Sequence, residues 1–268
     1  MIEDAMPQTV IIASHRRSGT HWVIDTLRNN CPAINENFVN LDLIAPSSHS
    51  PLPLSEFDKQ LNTLDGIVLV KTHTPVTLDP FLVSEDLQHY AAALLQRSRI
   101  IYVHRDGRDV MVSLYYYMQS FDPAIHSRTF SEFIRMKNNF DLVDHLNRVQ
   151  FWRYHVGGWL ACPGVYPITY EALTNDYETT TLQLVNDLGL KTAPKIRHVS
   201  IKRIVARSQH KGFRRWDKVR QLIARLFFKQ KTLAVSSIQP RKGIAGDWKG
   251  YFDQADREFF EQQTTDSF

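Results

Sequence analysis

The sequence predicts an α/β protein, with a central parallel sheet flanked by helices and a P-loop-like strand–loop–helix that binds phosphate. Three observations carry this. Short apolar and β-branched runs recur at Thr9–Ala13, Gly66–Val70 and Arg99–Val103. Segments of helical period separate such runs, and strands alternating with helices build parallel sheets covered on both faces. The first run also feeds directly into a glycine-containing turn and then a helical pattern.

Thr9–Ala13 is a buried strand, and Gly19 and Thr20 open a helix that carries Trp22, Val23, Ile24 and Leu27 and ends near Asn29–Pro32. Residues Ala33–Glu56 are expected to be loop-rich, with prolines at 46, 51 and 53. Gly66–Val70 and Arg99–Val103 are the second and third strands, and a helix runs from near Asp106 through Tyr117. Phe130–Asn147 and Val149–Ala161 are expected to be helical, Gly164–Thr169 a strand, and Thr179–Leu188 a helix stopped by Gly189. There is no internal repeat and no long linker. Lys211–Lys231 stands apart, with eight Lys/Arg against one acid and with Trp216, Val219, Leu222, Ile223, Leu226 and Phe227 at helical spacing. It reads as a lid over an anionic ligand, a surface helix packed by its apolar stripe, or a membrane-surface helix.

Composition narrows the class. The 268 residues are 43% hydrophobic and 22% charged, which is ordinary for a globular chain. No stretch reaches the ~20 apolar residues of a membrane span. Met1–Gln8 carries Glu3 and Asp4 and lacks a signal peptide's basic start and apolar core. A cytoplasmic protein without stable membrane insertion is expected. Cys31 and Cys162 are the two cysteines, and no Cys/His spacing matches a zinc site. The net charge of +4 suits a small polyanionic ligand and is too weak to argue for nucleic acid.

Three segments carry chemistry. In Ser14–Trp22, a strand enters a helix through Gly19, so helix N–H groups and the helix dipole face an anion. Arg17 adds charge there, and Ser18, Thr20 and His21 add donors. The pattern GxxxxGK[ST] is missing, which argues against a nucleoside-triphosphate site. In Arg99–Tyr117, Arg105 sits just past a strand's C-terminal end, where open α/β sheets bind ligands. Ser113 comes about two helical turns later and is placed to converge on the same phosphate. In Arg241–Lys249, two cations precede Gly243 and form a local anion trap.

Together these segments resemble the PAPS-dependent sulfotransferase family, in its small soluble branch related to the cytosolic enzymes. The motif resembling PKSGTTW is Arg16–Trp22, the strand–Arg–helix–Ser segment is Tyr102–Tyr117, and RKGxxGDWK is reproduced in full by Arg241–Lys249. The likeness spans roughly residues 9–260 and implies one sulfotransferase domain over 1–268, with a basic insertion or lid at about 211–238.

The resemblance implies 3′-phosphoadenosine 5′-phosphosulfate (PAPS) as donor and a small-molecule acceptor. Arg17, Ser18, Gly19, Thr20 and His21 would hold the phosphosulfate end, with Trp22 beside the adenine. Arg105, Ser113, Arg241, Lys242 and Gly243 would grip the 3′-phosphate, where arginine's planar fork suits the oxyanion. Tyr170 matches an adenine contact, and Ser208, by a looser correspondence, a further one. Val70–Pro75 resembles the family's KxHxP-like catalytic segment and places His73 at the sheet edge as general base. Lys71 and Arg17 would stabilise developing charge. A sulfuryl group carries less charge than a phosphoryl group, so no metal is expected.

The sequence departs from the family at several places. Arg17 stands where lysine is usual, and His21 where threonine is common. The dimerisation motif KxxxTVxxxE keeps Lys249 and Glu258 but has Asp253-Gln254 in place of Thr-Val. Phe38, Phe81, Tyr116, Phe121 and Trp216 are candidate apolar walls of the acceptor pocket. Glu36, Asn37, Asp42, Gln119 and Asp122 make the same region polar, which favours a hydroxylated or amino-bearing metabolite, including a polar natural product. The rival readings are a nucleotide or metabolite kinase, which needs magnesium ligands, and an RNA-binding module using the basic stretch.

Overall fold

The computed structural model describes residues 9–44, 52–76, 84–119, 122–137, 145–201 and 242–265. Backbone contacts divide the chain into two units, Met1–His198 with Ala245–Phe268, and Val199–Ile244. The basic segment 211–238 lies outside the described residues. The sheet and the helices packed on it belong to the first unit.

Five parallel strands form one sheet in the order β2-β3-β1-β4-β5. They are β1 (Thr9–Ser14), β2 (Ile34–Asn40), β3 (Ile67–Thr72), β4 (Arg99–His104) and β5 (Val165–Thr169). Strand β1 lies in the middle, pairing with β3 from Thr9↔Val68 and with β4 from Val10↔Arg99. Each of its residues is buried, as are all six of β3. Removing a Val or Ile side chain from water contributes roughly 1.5–3 kcal/mol, so these two runs dictate the centre of the sheet. The α/β class and the parallel sheet are as expected.

Helices cover both faces. Ile11, Ala13, Val68, Val70, Ile100 and Tyr102 pack with Phe57 and Leu61 of α2 (Leu54–Asn62), Leu94 of α3 (Glu85–Gln96) and Trp159 of α7 (Arg148–Ala161). Helix α1 (Thr20–Asn30) touches β1 and β2 and meets α9 (Tyr177–Asp187), which in turn touches β5. A second core joins α4 (Gly107–Gln119), α5 (Pro123–His126), α6 (Phe130–Arg135), α7 and α10 (Gln254–Thr265) through Met111, Ile125, Phe133, Val149 and Phe260. Helix α8 (Tyr170–Asn175) follows β5 directly.

Two expectations are corrected. Ala33–Glu56 is not simply loop, because Ile34–Asn40 is the edge strand β2, succeeded by a 3-10 turn at Leu41–Ile44. Its sequence INENFVN is polar at most positions, since an edge strand has less to bury. A register shift between Ile34 and Phe38 further breaks the alternation a strand would show. The helix expected over Phe130–Asn147 ends at Arg135, with Met136 extended (ψ 147°) and an antiparallel bridge between Lys137 and Asn147. Asn147 instead begins α7, where its side chain and that of Gln150 form a reciprocal capping box.

Candidate active site

In a parallel sheet all the strand C-termini lie along one edge, and here every strand delivers a polar group to it. Beyond β1 comes the loop His15–Gly19, beyond β2 Asp42, at and beyond β3 Lys71 and His73, beyond β4 Arg105, and beyond β5 Tyr170.

The loop after β1 turns through left-handed backbone at Arg17 (φ 71°) and Gly19 (φ 104°). Such a conformation is ordinary for glycine and strained for arginine. A Cβ on Gly19 would stand 2.9 Å from Cδ2 of Tyr170. Helix α1 then begins with no side-chain cap and no acid in its first turn, so its own residues leave the positive end of its dipole without a counter-charge. The Ser14 and Thr20 hydroxyls share a 2.5 Å hydrogen bond that ties the loop's two ends together. Ser18 Oγ is fully buried and has no hydrogen-bond partner among the described residues, an arrangement that suits a ligand oxygen.

Arg17 reaches across to α4. Its Nε donates to Ser113 Oγ at 3.2 Å, and its guanidinium lies 4.7 Å from the Tyr117 ring centroid. Ser113 and Tyr117 are four residues apart, hence on one helix face. Arg105 is buried, with Nη2 3.6 Å from Asp109 Oδ2 and its guanidinium 4.3 Å over the Tyr170 ring. The Tyr170 ring also meets Trp22, centroids 5.2 Å apart, and its buried hydroxyl has no partner among the described residues. Trp22, Tyr170, Arg105, Arg17 and Ser113 thus belong to one neighbourhood.

His73 is held from several directions. Its Nδ1 lies 2.7 Å from the Ser14 carbonyl oxygen, and a carbonyl can only accept, so Nδ1 carries the proton and Nε2 the free lone pair. Its backbone N–H donates to Asp42 Oδ1 at 2.7 Å. Its carbonyl accepts from Nε2 of the buried His155, whose Nδ1 is 2.8 Å from the Tyr102 hydroxyl. Trp159, one turn further along α7, donates to the Thr74 carbonyl at 3.0 Å. Burial, then the Lys71 and Arg16 charges, hold the His73 imidazole well below its ordinary pKa, so it is neutral at pH 7. The same causes, burial first and then Lys71, Arg17 and Arg28, bring His21 down to about 4. Burial also lowers Lys71, and the Asp42 carboxylate opposes that shift.

Lys242 and Gly243 belong to the second unit, where Gly243 takes φ 69°. Arg241, Ser208, Phe81 and Phe121 lie outside the described residues. Phe38 stacks edge-on to His21 at 5.6 Å, while Tyr116 instead faces Tyr251 of the C-terminal segment, also at 5.6 Å. Where the family carries Thr-Val, the Asp253 side chain accepts from Asp256 N–H at 2.8 Å at the start of α10, and Gln254 donates to Glu258. Sequence reasoning passed over His155, because one histidine in a helix gives no signal of what its ring will meet.

The sulfotransferase domain family model matches residues 7–267. The chain is 26% identical to human sulfotransferase 2B1 over 97% of its own length and 66% of that protein's. It is 26% identical to rat sulfotransferase 1 family member D1, over 97% and 83% of the two chains. The crystal structure of mouse sulfotransferase SULT7A1 complexed with PAP superposes with a TM-score of 0.58 at 17% identity, covering 96% of this chain and 83% of the other.

Proposed function

The chain belongs to the sulfotransferase family, and on that premise we propose that it moves the sulfuryl group of PAPS to a hydroxyl or amino group of a small-molecule acceptor. Adenosine 3′,5′-bisphosphate (PAP) is the second product. The observation that carries this reading is a neutral, Nδ1-protonated His73 anchored to the last residue of β1, at the mouth of an uncapped, cation-flanked helix N-terminus. The PAP-bound structural neighbour supports the choice of donor.

The residues fit that donor. Ser18 Oγ and the Tyr170 hydroxyl are buried polar atoms with no partner among the described residues, and the first turn of α1 holds no acid to compete with a bound anion. The donor supplies an activated sulfur, whose bond to the phosphate oxygen breaks as its bond to the acceptor oxygen or nitrogen forms. His73 Nε2 takes the acceptor's proton, and the Ser14 carbonyl steadies the resulting imidazolium through Nδ1–H. Lys71, Arg17 and the α1 amides stabilise charge on the sulfuryl and leaving-phosphate oxygens. Ser113 fixes the angle of Arg17, and Arg105 and Tyr170 bind the nucleotide end.

The test is a PAPS-dependent screen of metabolite pools, read by mass spectrometry for an added sulfuryl group. Transfer with release of PAP is expected. Saturable binding of ATP–Mg in place of PAP, with no transfer, overturns the reading in favour of a kinase. His73→Ala is expected to lower turnover by about 10²–10⁴-fold while PAP binding persists.

A further inference from the structure

We propose that Asp42 is a positioning residue for the transfer reaction, setting both the His73 segment and the Lys71 ammonium through one carboxylate. This rests on the sulfotransferase reading and concerns a side chain that never touches the reacting atoms.

Asp42 lies in the 3-10 turn after the edge strand, where its own N–H donates to Asn40 Oδ1 at 3.3 Å. Its side chain is only 14% exposed. A carboxylate so removed from water is costly unless donors surround it, and all its described donors come from one tetrapeptide. Oδ1 accepts from the His73 N–H at 2.7 Å, the Thr72 hydroxyl at 3.0 Å and the Thr74 hydroxyl at 3.4 Å. Oδ2 lies 3.7 Å from Lys71 Nζ.

The arrangement acts on the chemistry in two ways. The His73 backbone is pinned on its N–H side by Asp42 and on its carbonyl side by His155, while Ser14 pins the ring. Of these anchors only Asp42 is ionic, and hydrogen bonds to charged groups are the stronger kind. A displacement of about 1 Å at a reacting group costs on the order of 10²-fold in rate. The second effect concerns Lys71. Arg16 of the loop, His21 of α1 and His73 beyond its own strand surround it, and burial and Arg16 disfavour its charge. Asp42 is the group that opposes them and keeps the ammonium protonated for the developing oxyanion.

Two variants test this, using the acceptor returned by the screen. Asp42→Asn retains an oxygen for the His73 N–H and removes only the charge. Its turnover is expected to fall about tenfold, and the alkaline limb of its turnover–pH profile to move to lower pH. Below that shifted limb, where Lys71 stays charged, its KM for PAPS should stay level or drop, because removing the carboxylate's negative charge does not weaken an anion site. Asp42→Ala also removes the anchor, and its turnover is expected to fall on the order of 10²-fold with PAP binding by calorimetry little changed. In 15N NMR, the wild-type His73 ring should show protonated Nδ1 and bare Nε2, giving way to a tautomer mixture in Asp42→Ala. A His73→Gln difference spectrum identifies the signal.

Wild-type turnover with an unshifted alkaline limb in Asp42→Asn overturns the proposal. So does a loss of PAP binding in proportion to turnover in both variants, which would mark general support of the loop. Should Asp42→Ala not fold, the charge-only variant decides alone. A wild-type chain that transfers no sulfuryl group sinks the sulfotransferase reading instead, and the ring signature then shows by itself whether Asp42 fixes His73.

Discussion

A buried imidazole keeps its lone pair by giving up water. Both His73 and His21 lie below the 6.5 that a histidine shows in the unfolded chain. The unfolded state therefore binds more protons once the pH falls below that value. The stability these two neutral rings allow is complete above about 6.5, and for His21 it is lost as the pH falls toward about 4. A thermal-unfolding series in acid should show Tm falling through this window, and His21→Gln should flatten part of the slope. An unchanged slope in the variant would assign the effect to other groups. At this scale the sequence was informative about identity and poor about partnership. Arg17, Ser18, Gly19 and Thr20 could be picked out because a strand, a glycine and a helix start are consecutive in the chain. That Arg17 donates to a serine 96 positions later, or that Asp42 accepts from His73, depends on which strands pair, and no local pattern records that.

The elements show where side-chain volume decides. Gly107 opens α4, and a Cβ there would stand 2.7 Å from ring atoms of Trp152 and 2.8 Å from Phe260 Cζ. Both rings are packed between helices, so neither can retreat freely. Gly107→Ala is expected to destabilise the protein by about 1–3 kcal/mol, read as a lower urea midpoint at unchanged m-value. Helix α7 makes the converse case, with a polar residue inside the core. His155→Phe keeps the ring but leaves the His73 carbonyl and the Tyr102 hydroxyl short of a partner, at about 1–3 kcal/mol, and it should lower turnover more than PAP affinity. Strands β1, β3 and β4 were legible because burial on both faces leaves an unbroken apolar run. Strand β2 was not, since its asparagines and glutamate satisfy an edge where only Ile34 and Val39 are buried. The overlong helix from Phe130 failed for another reason: apolar residues continue in the sequence past Arg135, but the backbone turns extended at Met136 and a separate capping box opens the next helix at Asn147.

Across the whole molecule, one buried carboxylate fastens the C-terminal segment to helix α4. Asp109 accepts from Gly246 N–H at 2.7 Å and Trp248 N–H at 3.0 Å, while Arg108 covers the Trp248 ring at 3.9 Å. Asp109→Ala leaves both amides without this acceptor and is expected to cost on the order of 3 kcal/mol. Because Asp109 also flanks Arg105, PAP affinity should fall with stability, and calorimetry on the folded variant would detect it. The parallel sheet could be foreseen from the alternation of strands and helices, whereas its strand order could not, because sequence order and spatial order differ at β1. That difference also governs how the protein comes into being. Strand β1 leaves the ribosome first among the five, yet its neighbours are β3, reached at Ile67, and β4, reached at Arg99. Until then its six buried residues have no ladder to join, so a strand buried along its whole length is also the longest-waiting one. Non-local pairing of this kind slows folding and prolongs exposure to aggregation, so synthesis rate and chaperone supply should limit the yield of active protein well before its equilibrium stability does.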